Sequence, residues 1–276
     1  MAELVFDIGM NTGDDTAYYL HLGYRVVGVD ANPLRAADCL QRFAGDVRAG
    51  RLTVVNAGIL REKGEFPFFR NRHVDGNSTF CEPGGDPADW ERIVVSCTTI
   101  GDLVAEHGTP YFIKSDIEGA DFQVIEGLRP EIAPRYISLE LNLTDPYLNR
   151  LVELGYTSFK LVNGETHRAE EPILPHEWGW RAFRKAGRII PPIRSLVRRM
   201  PPSTRPRKAE WGEDGDYNPD GFDYSCNCSG PFGELAAGEW TDAKAADVKL
   251  KRLRRHHIKA GSSVLWWDIH ARLGSA

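Results

Sequence analysis

The stretch that decides the fold is Leu4-Val5-Phe6-Asp7-Ile8-Gly9-Met10-Asn11-Thr12-Gly13. Its apolar start, Leu4 to Phe6, has the unbroken character of a strand buried in a parallel sheet. The run ends at Asp7, Gly9 and Gly13 bracket a turn, and Asp14 to Leu22 reads as a helix. A glycine turn between strand and helix gathers backbone N–H groups and the positive end of the helix dipole at one point. Glycine takes φ > 0 freely and lets the backbone approach a ligand. Tyr24 to Asp30 then reads as a second strand that ends in an acid. Strand, glycine turn, helix, strand and terminal acid in series match a ribose-binding βαβ unit. The plain alternative is that the glycines only permit a tight turn and Asp30 caps the next helix.

The turn reads D-x-G-x-N-x-G, not G-x-G-x-x-G. An acid two residues before the first glycine repels a pyrophosphate and suits an ammonium group. S-adenosylmethionine carries an ammonium, a sulfonium and no phosphate, so Asp7 favours it over NAD.

Working outward, Pro33 starts a helix that carries apolar residues from Leu34 to Phe43, and Leu52 to Ala57 is a third strand. Glu65–Arg70 and Ile93–Cys97 read as further strands. The polar loop between them, His73 to Cys81 and on to Asp89, is long enough to contact a ligand. Thr99 reads as the N-cap of a helix to about His107. Pro110 to Asp116 is the fourth core strand, followed by a helix from about Ala120 to Leu128. Tyr136 to Leu141 is the fifth, then a helix from Asp145-Pro146 to Leu154 and a strand from Thr157 to Val162. Strands alternating with helices imply a doubly wound sheet. Asp7, Asp30, Asp116 and Glu140 all stand at strand ends, where the ligand crevice of such a sheet lies.

Beyond Gly164 the character changes. Arg181 to Lys208 holds ten Lys or Arg and no acid, with apolar residues at helical spacing. It reads as a solvated basic helix pair packed on the core, or as a surface for a membrane or an acidic ligand. Gly212 to Gly233 reads as a loop, Ala243 to Lys259 as a second basic helix, and Val264 to Ile269 as a last strand returning to the sheet.

The 276 residues suffice for one large α/β domain with additions. Apolar content of 42% and charged content of 26% are those of a globular chain, and a net charge of −5 argues against nucleic acid as a partner. No apolar run is long enough for a transmembrane segment. The start leads straight into a strand rather than a secretory signal, and five cysteines, mostly scattered, suit free thiols. A cytoplasmic location is therefore expected. Cys226-Asn227-Cys228 lacks the second pair that a structural zinc site needs.

The residues together resemble the FkbM-type S-adenosylmethionine-dependent methyltransferases. The matching pieces are F-D-I-G-M-N-T-G-D-D-T at Phe6–Thr16, V-V-G-V-D-A-N-P at Val26–Pro33 and T-I-G-D-L at Thr99–Leu103. The longest is I-K-S-D-I-E-G-A-D-F-Q-V-I-E-G-L at Ile113–Leu128, followed by I-S-L-E-L at Ile137–Leu141. The resemblance spans about Glu3 to Val162. It implies a Rossmann-like class I methyltransferase fold: a mostly parallel seven-stranded sheet with helices on both faces. It also implies an O-methyl acceptor on a sugar, glycan or natural product. The domain division expected is a core over residues 1–163 and a C-terminal extension over 164–276.

For S-adenosylmethionine as cofactor, Gly9, Met10, Asn11, Thr12 and Gly13 are expected around its methionine part. Asp7 would face the ammonium, directly or through water. Asp30 and Ala31 would meet the ribose, Asn56 or Ala57 the adenine, and Asp116 the region of the methyl group. An alcohol acceptor must lose a proton, so a base is expected: Asp116, then Glu118, then His73 from the polar loop. A divalent metal on Asp116, Glu118 and Glu140 is the weighed alternative, and no metal is included in the expected site. A phosphate-bearing acceptor would suit residues 181–208. Two competing readings remain: a nicotinamide-dependent sugar-nucleotide dehydrogenase, and a non-catalytic module that docks through its basic tail.

Overall fold

The axis of the sheet is β1 (Leu4–Ile8), buried at every position. In the computed structural model, which describes residues 2–142, 145–164, 169, 222, 228–260 and 267–274, two parallel neighbours flank it. They are β2 (Arg25–Asp30) and β7 (Phe112–Ser115), with Phe6 opposite Val27 on one side and Ile113 on the other. β3 (Leu52–Asn56) extends the sheet beyond β2, and β8 (Tyr136–Glu140) beyond β7. β9 (Tyr156–Asn163) and β10 (Trp267–Leu273) complete seven strands in the order β3-β2-β1-β7-β8-β10-β9. β10 runs antiparallel to both its neighbours, with Ile269 between Leu139 and Leu161. This is the mostly parallel α/β sheet that the sequence implies. The last strand continues to Leu273, beyond the expected Ile269, while residues 264–266 lie outside the described residues.

The helices start where local chemistry directs. α1 (Asp14–His21) follows Gly13. α2 (Pro33–Arg42) is capped by Asn32, whose side chain accepts from Leu34 N at 3.1 Å, and Pro33 supplies a preset φ. A short α3 (Ala44–Arg48) follows. α4 (Ile100–His107) is capped by Thr99, which accepts from Asp102 N at 3.1 Å. α5 (Asp121–Gly127), α6 (Tyr147–Glu153) and α7 (Ala243–Ala260) complete the helices among the described residues.

A second, three-stranded sheet was not foreseen as a unit. β5 (Gly64–Asn71) and β6 (Trp90–Thr98) pair antiparallel from Gly64 with Cys97 to Asn71 with Trp90, and β4 (Gly58–Ile59) joins β6. Both long strands were legible, but a pairing across so long a loop leaves no local trace.

The main sheet sorts its side chains by strand alternation. Leu4, Phe6 and Ile8 enter one core with Val124, Leu128 and Leu151. Val5 enters the other with Tyr18, Tyr19, Phe112 and Phe232. Phe112 and Phe232 stack with ring centroids 3.9 Å apart. Burying a side chain such as Phe232 contributes about 1.5–3 kcal/mol, so the segment after Cys228 is part of the core. Cys228 gives its thiol hydrogen to Asp15 Oδ1 at 3.0 Å. The basic stretch 181–208 and most of the loop 212–233, with Cys226, lie outside the described residues. Among those described, no helix is long and apolar enough to cross a membrane.

Candidate active site

Strand order reverses between β1 and β7, and the loops beyond the strand tips enclose a crevice there. A cavity of about 180 Å³ lies there. Gly9, Asn11, Asp30, Ala31, Asn32 and Ala57, at or beyond the tips of β1, β2 and β3, line it together with Asp116, Glu118, Glu140 and Asp268 from β7, β8 and β10. Residues 74–78 and Phe80 of the polar loop line it as well. Arg35 of α2 holds that loop in place, its Nε donating to Asp75 Oδ2 at 3.0 Å.

The turn after β1 is built differently from a phosphate cradle. Gly9 N and Met10 N donate to Val29 O, Gly13 N to Met10 O, and Asn11 N to Asp30 Oδ2. These amides are occupied within the protein. Gly9 has φ +79, and a Cβ there would stand 1.9 Å from Asp116 O. Glycine is required at this position because the tips of β1 and β7 meet, a reason separate from any ligand. Gly13, at φ +82, has the ring of Phe43 2.5 Å from where a Cβ would stand.

The expected site residues divide. Gly9, Asn11, Asp30, Ala31, Ala57, Asp116 and Glu118 come together on the cavity. Met10 is buried in the core beside Gly28, and Thr12 turns away to donate to Asp14 Oδ2. Gly13 is outside the lining, as is Asn56, whose Nδ2 donates to Asp30 O at 2.9 Å. Asp7 requires a correction. It is fully buried beneath the turn, accepts from Thr16 Oγ1 at 2.6 Å, and lies 3.5 Å from Lys114 Nζ, so it does not face the cavity. Strand alternation that points Val5 into the α1 core points Asp7 there too. His73 is also corrected: its ring is exposed and sits 3.0 Å from Asp89, off the cavity wall.

The site includes groups that the sequence reading did not single out. Asn32 is buried on the cavity wall, and its Nδ2 has no partner among the described residues. Lys114, also buried, donates to Gly9 O at 3.0 Å and lies near Asp7, Asp15 and Asp116. A lysine inside the apolar run Tyr111-Phe112-Ile113-Lys114 was the available signal. Asp268 arrives on β10, opposite Glu140.

Comparison with known proteins bears on what this cavity is for. The methyltransferase FkbM domain matches residues 7–163. The chain belongs to the FkbM methyltransferase family. No curated protein matches it. Among solved structures it is similar to the methyltransferase FkbM from Methylobacillus flagellatus KT, at 20% identity and a TM-score of 0.42, over 58% of this chain and 40% of that one. It is also similar to a precorrin-6y C5,15-methyltransferase from Geobacter metallireducens GS-15, at 13% identity and a TM-score of 0.34. That match covers 61% of this chain and 73% of the other. The chain thus spans less than half the length of the first.

Within this FkbM domain the charge is sharply arranged. Burial alone would push the Lys114 ammonium down, but Asp7, Asp15 and Asp116 outweigh it and hold the group well above the ordinary lysine range. Burial raises Asp7 to about 6 against the pull of Lys114. Asp30 is raised by burial, and the amides of Asn32 and Asn11 only partly offset this. Oxygens of Asp116, Glu118 and Glu140 lie within 4.8 Å of one another, where an ionised pair repels by roughly 3 kcal/mol at an effective dielectric of about 20. Burial first, then Asp116 and Asp121, push Glu118 to about 8; burial, then Asp116 and Glu118, push Glu140 to about 10. Asn11 (φ 46) and Glu118 (φ 51) are the described non-glycine residues with positive φ, and both line the cavity. Backbone strain gathered at one crevice is a mark of a functional site.

Proposed function

We propose that the protein transfers the methyl group of S-adenosylmethionine to a hydroxyl of a small-molecule or glycan acceptor. One observation carries the reading: a single cavity is lined by Asn11, Asp30, Asn32 and Ala57, which end or follow β1, β2 and β3, and by Asp116, Glu118 and Glu140, which stand at or beyond the tips of β7 and β8 across the strand order. The first set suits a nucleoside. Asp30 keeps lone pairs free for ribose hydroxyls after its two backbone bonds, and Asn32 Nδ2 is a donor in need of an acceptor. Ala57 leaves room for a flat base. The second set suits a cationic sulfonium and an acceptor that must lose a proton.

A dinucleotide fits poorly. Its pyrophosphate would need free amides at the first turn, and those of Gly9, Met10, Asn11 and Gly13 are occupied. Asp14 and Asp15 also hold the first turn of α1, where an anion would bind.

Much of the catalysis is positioning: the acceptor oxygen must lie in line with the bond from methyl carbon to sulfur, about 3–3.5 Å from the carbon. Asp116 is the first candidate to receive the acceptor's proton and Glu118 the second. His73, paired with Asp89 outside the cavity, is set aside.

The test is calorimetry with S-adenosylhomocysteine and NAD on the full chain, followed by labelled methyl transfer to a panel of hydroxyl acceptors. Binding of the first ligand alone is expected. NAD binding, or no binding of S-adenosylhomocysteine by the folded protein, sinks the reading. Asp116→Asn should leave S-adenosylhomocysteine binding near normal and abolish transfer.

A further inference from the structure

We propose that Asp116, Glu118 and Glu140 hold one divalent cation in the cavity, with Asp268 behind it. One carboxylate oxygen from each of the three lies within 4.8 Å of the others. Ligands on opposite sides of a hard cation are separated by twice the metal–oxygen distance, about 4.2 Å for magnesium and about 5 Å for calcium. The trio therefore spans what one ion spans. The donors are all oxygen, which selects magnesium or manganese over softer metals. Three protein ligands leave further positions for water and for a substrate oxygen.

A cluster of acids is not in itself a site, and Asp268 supplies the independent observation. It is 8% exposed and lines the same cavity. It stands opposite Glu140 in the β8–β10 ladder, so both side chains leave the sheet on one face. No hydrogen bond or ion pair among the described residues reaches its carboxyl. Burial and the neighbouring Asp116 disfavour its charge, and Lys114 offsets them only from beyond ion-pair distance. A hydrated cation on Glu140 gives it both an opposite charge and a donor, through a metal-bound water. Lys114 does not fill this role. It is 3.8 Å from Asp116 and already shared among Gly9 O, Asp7 and Asp15.

The chemical consequence rests on the methyl-transfer reading; the cation site itself does not. An acceptor hydroxyl bound to the cation loses its proton more readily. That proton passes to solvent or a neighbouring carboxylate. The oxygen then forms its bond to the methyl carbon as the carbon–sulfur bond breaks, and the electron pair of that bond stays on sulfur.

The experiment is titration of the full chain with MnCl2, followed by electron paramagnetic resonance, with no cofactor or acceptor present. One manganese per chain is expected, displaced by excess magnesium. Glu140→Gln and Glu118→Gln should each weaken binding at least tenfold. Glu106→Gln, with a 76% exposed side chain far from the cavity, should leave it unchanged. Thermal melts check that each variant folds, and Asp268→Asn serves as a milder variant with a smaller loss. No manganese bound at about 1 mM, the weak end of carboxylate sites, overturns the proposal. So does equal binding by all variants, or spermidine binding at the cluster in place of manganese. Calorimetry with S-adenosylhomocysteine is run on the same samples. Manganese without that ligand sinks the methyl-transfer reading alone; that ligand without manganese sinks the cation site alone.

Discussion

The backbone amide of Asn11 donates to Asp30 Oδ2 at 2.7 Å, joining residues nineteen apart in the chain. The other oxygen of Asp30 accepts from Asn32 N at 2.8 Å. One carboxylate thus fixes the first turn and still faces the cavity. Asp30→Ala leaves two amides without their acceptor and should cost about 1.5–3 kcal/mol of stability in urea unfolding. Calorimetry should show S-adenosylhomocysteine bound at least tenfold more weakly. Lost stability with unchanged affinity would make Asp30 a scaffold residue alone.

Lys114 lies 3.5 Å from Asp7 and 3.4 Å from Asp15, and all three are buried. Lys114→Met removes the cation and leaves both carboxylates uncompensated, which should cost about 3–5 kcal/mol. Adding Asp7→Asn should recover about 1 kcal/mol or more, because the two sites are coupled. Additive losses in chemical denaturation would show that the pair does not act as a unit.

Glu118 holds a left-handed backbone at φ 51. An L side chain there costs roughly 1–2 kcal/mol that glycine avoids. Glu118→Gly should therefore raise the melting temperature by about 2–4 °C while reducing any methyl transfer. A fall in melting temperature by calorimetry would mean that the carboxyl contributes more to stability than its backbone costs.

Glu234 accepts from Tyr136 Oη and Trp240 Nε1 at 2.8 Å and from Arg272 at 2.7 Å. Partial burial works against its charge, but these donors draw its pKa from 4.5 to about 2. A lowered folded-state pKa adds stability above the unfolded value and loses it as pH falls through the folded one. The stability gap between wild type and Glu234→Gln should be level above pH 4.5 and narrow from there towards pH 2. Half-exposure and solvent screening keep the effect small. A gap independent of pH in urea titrations would exclude the charge as its origin.

What was legible in the sequence followed from short-range rules. The run Leu4–Asp7, the cap at Thr99 and the helix start at Pro33 declare themselves within a few residues, and the structure has each. The acids at strand tips were legible as a set because parallel strands end on one edge. Their depth was not. Asp7 pairs with Gly28, so alternation sends Asp7 and Asp30 to the same face of the sheet; Asp30 stands two residues nearer the strand tips and opens to the cavity, while Asp7 is sealed under α1 beside Lys114. His73 looked reactive by type, and only the folded loop shows it paired with Asp89. Asp268 could not be found, because nothing near Trp267 reveals that its strand inserts beside Glu140.

That insertion has a consequence for how the molecule comes into being. β8 and β9 have no ladder with each other; β10 stands between them. During synthesis both must wait, with open edges, until about a hundred further residues have left the ribosome. Exposed edges invite pairing with foreign strands, so this interval is the one in which the nascent chain is most open to aggregation. Premature termination before Trp267 would yield a chain with most of its helices and strands and a permanently unclosed flank.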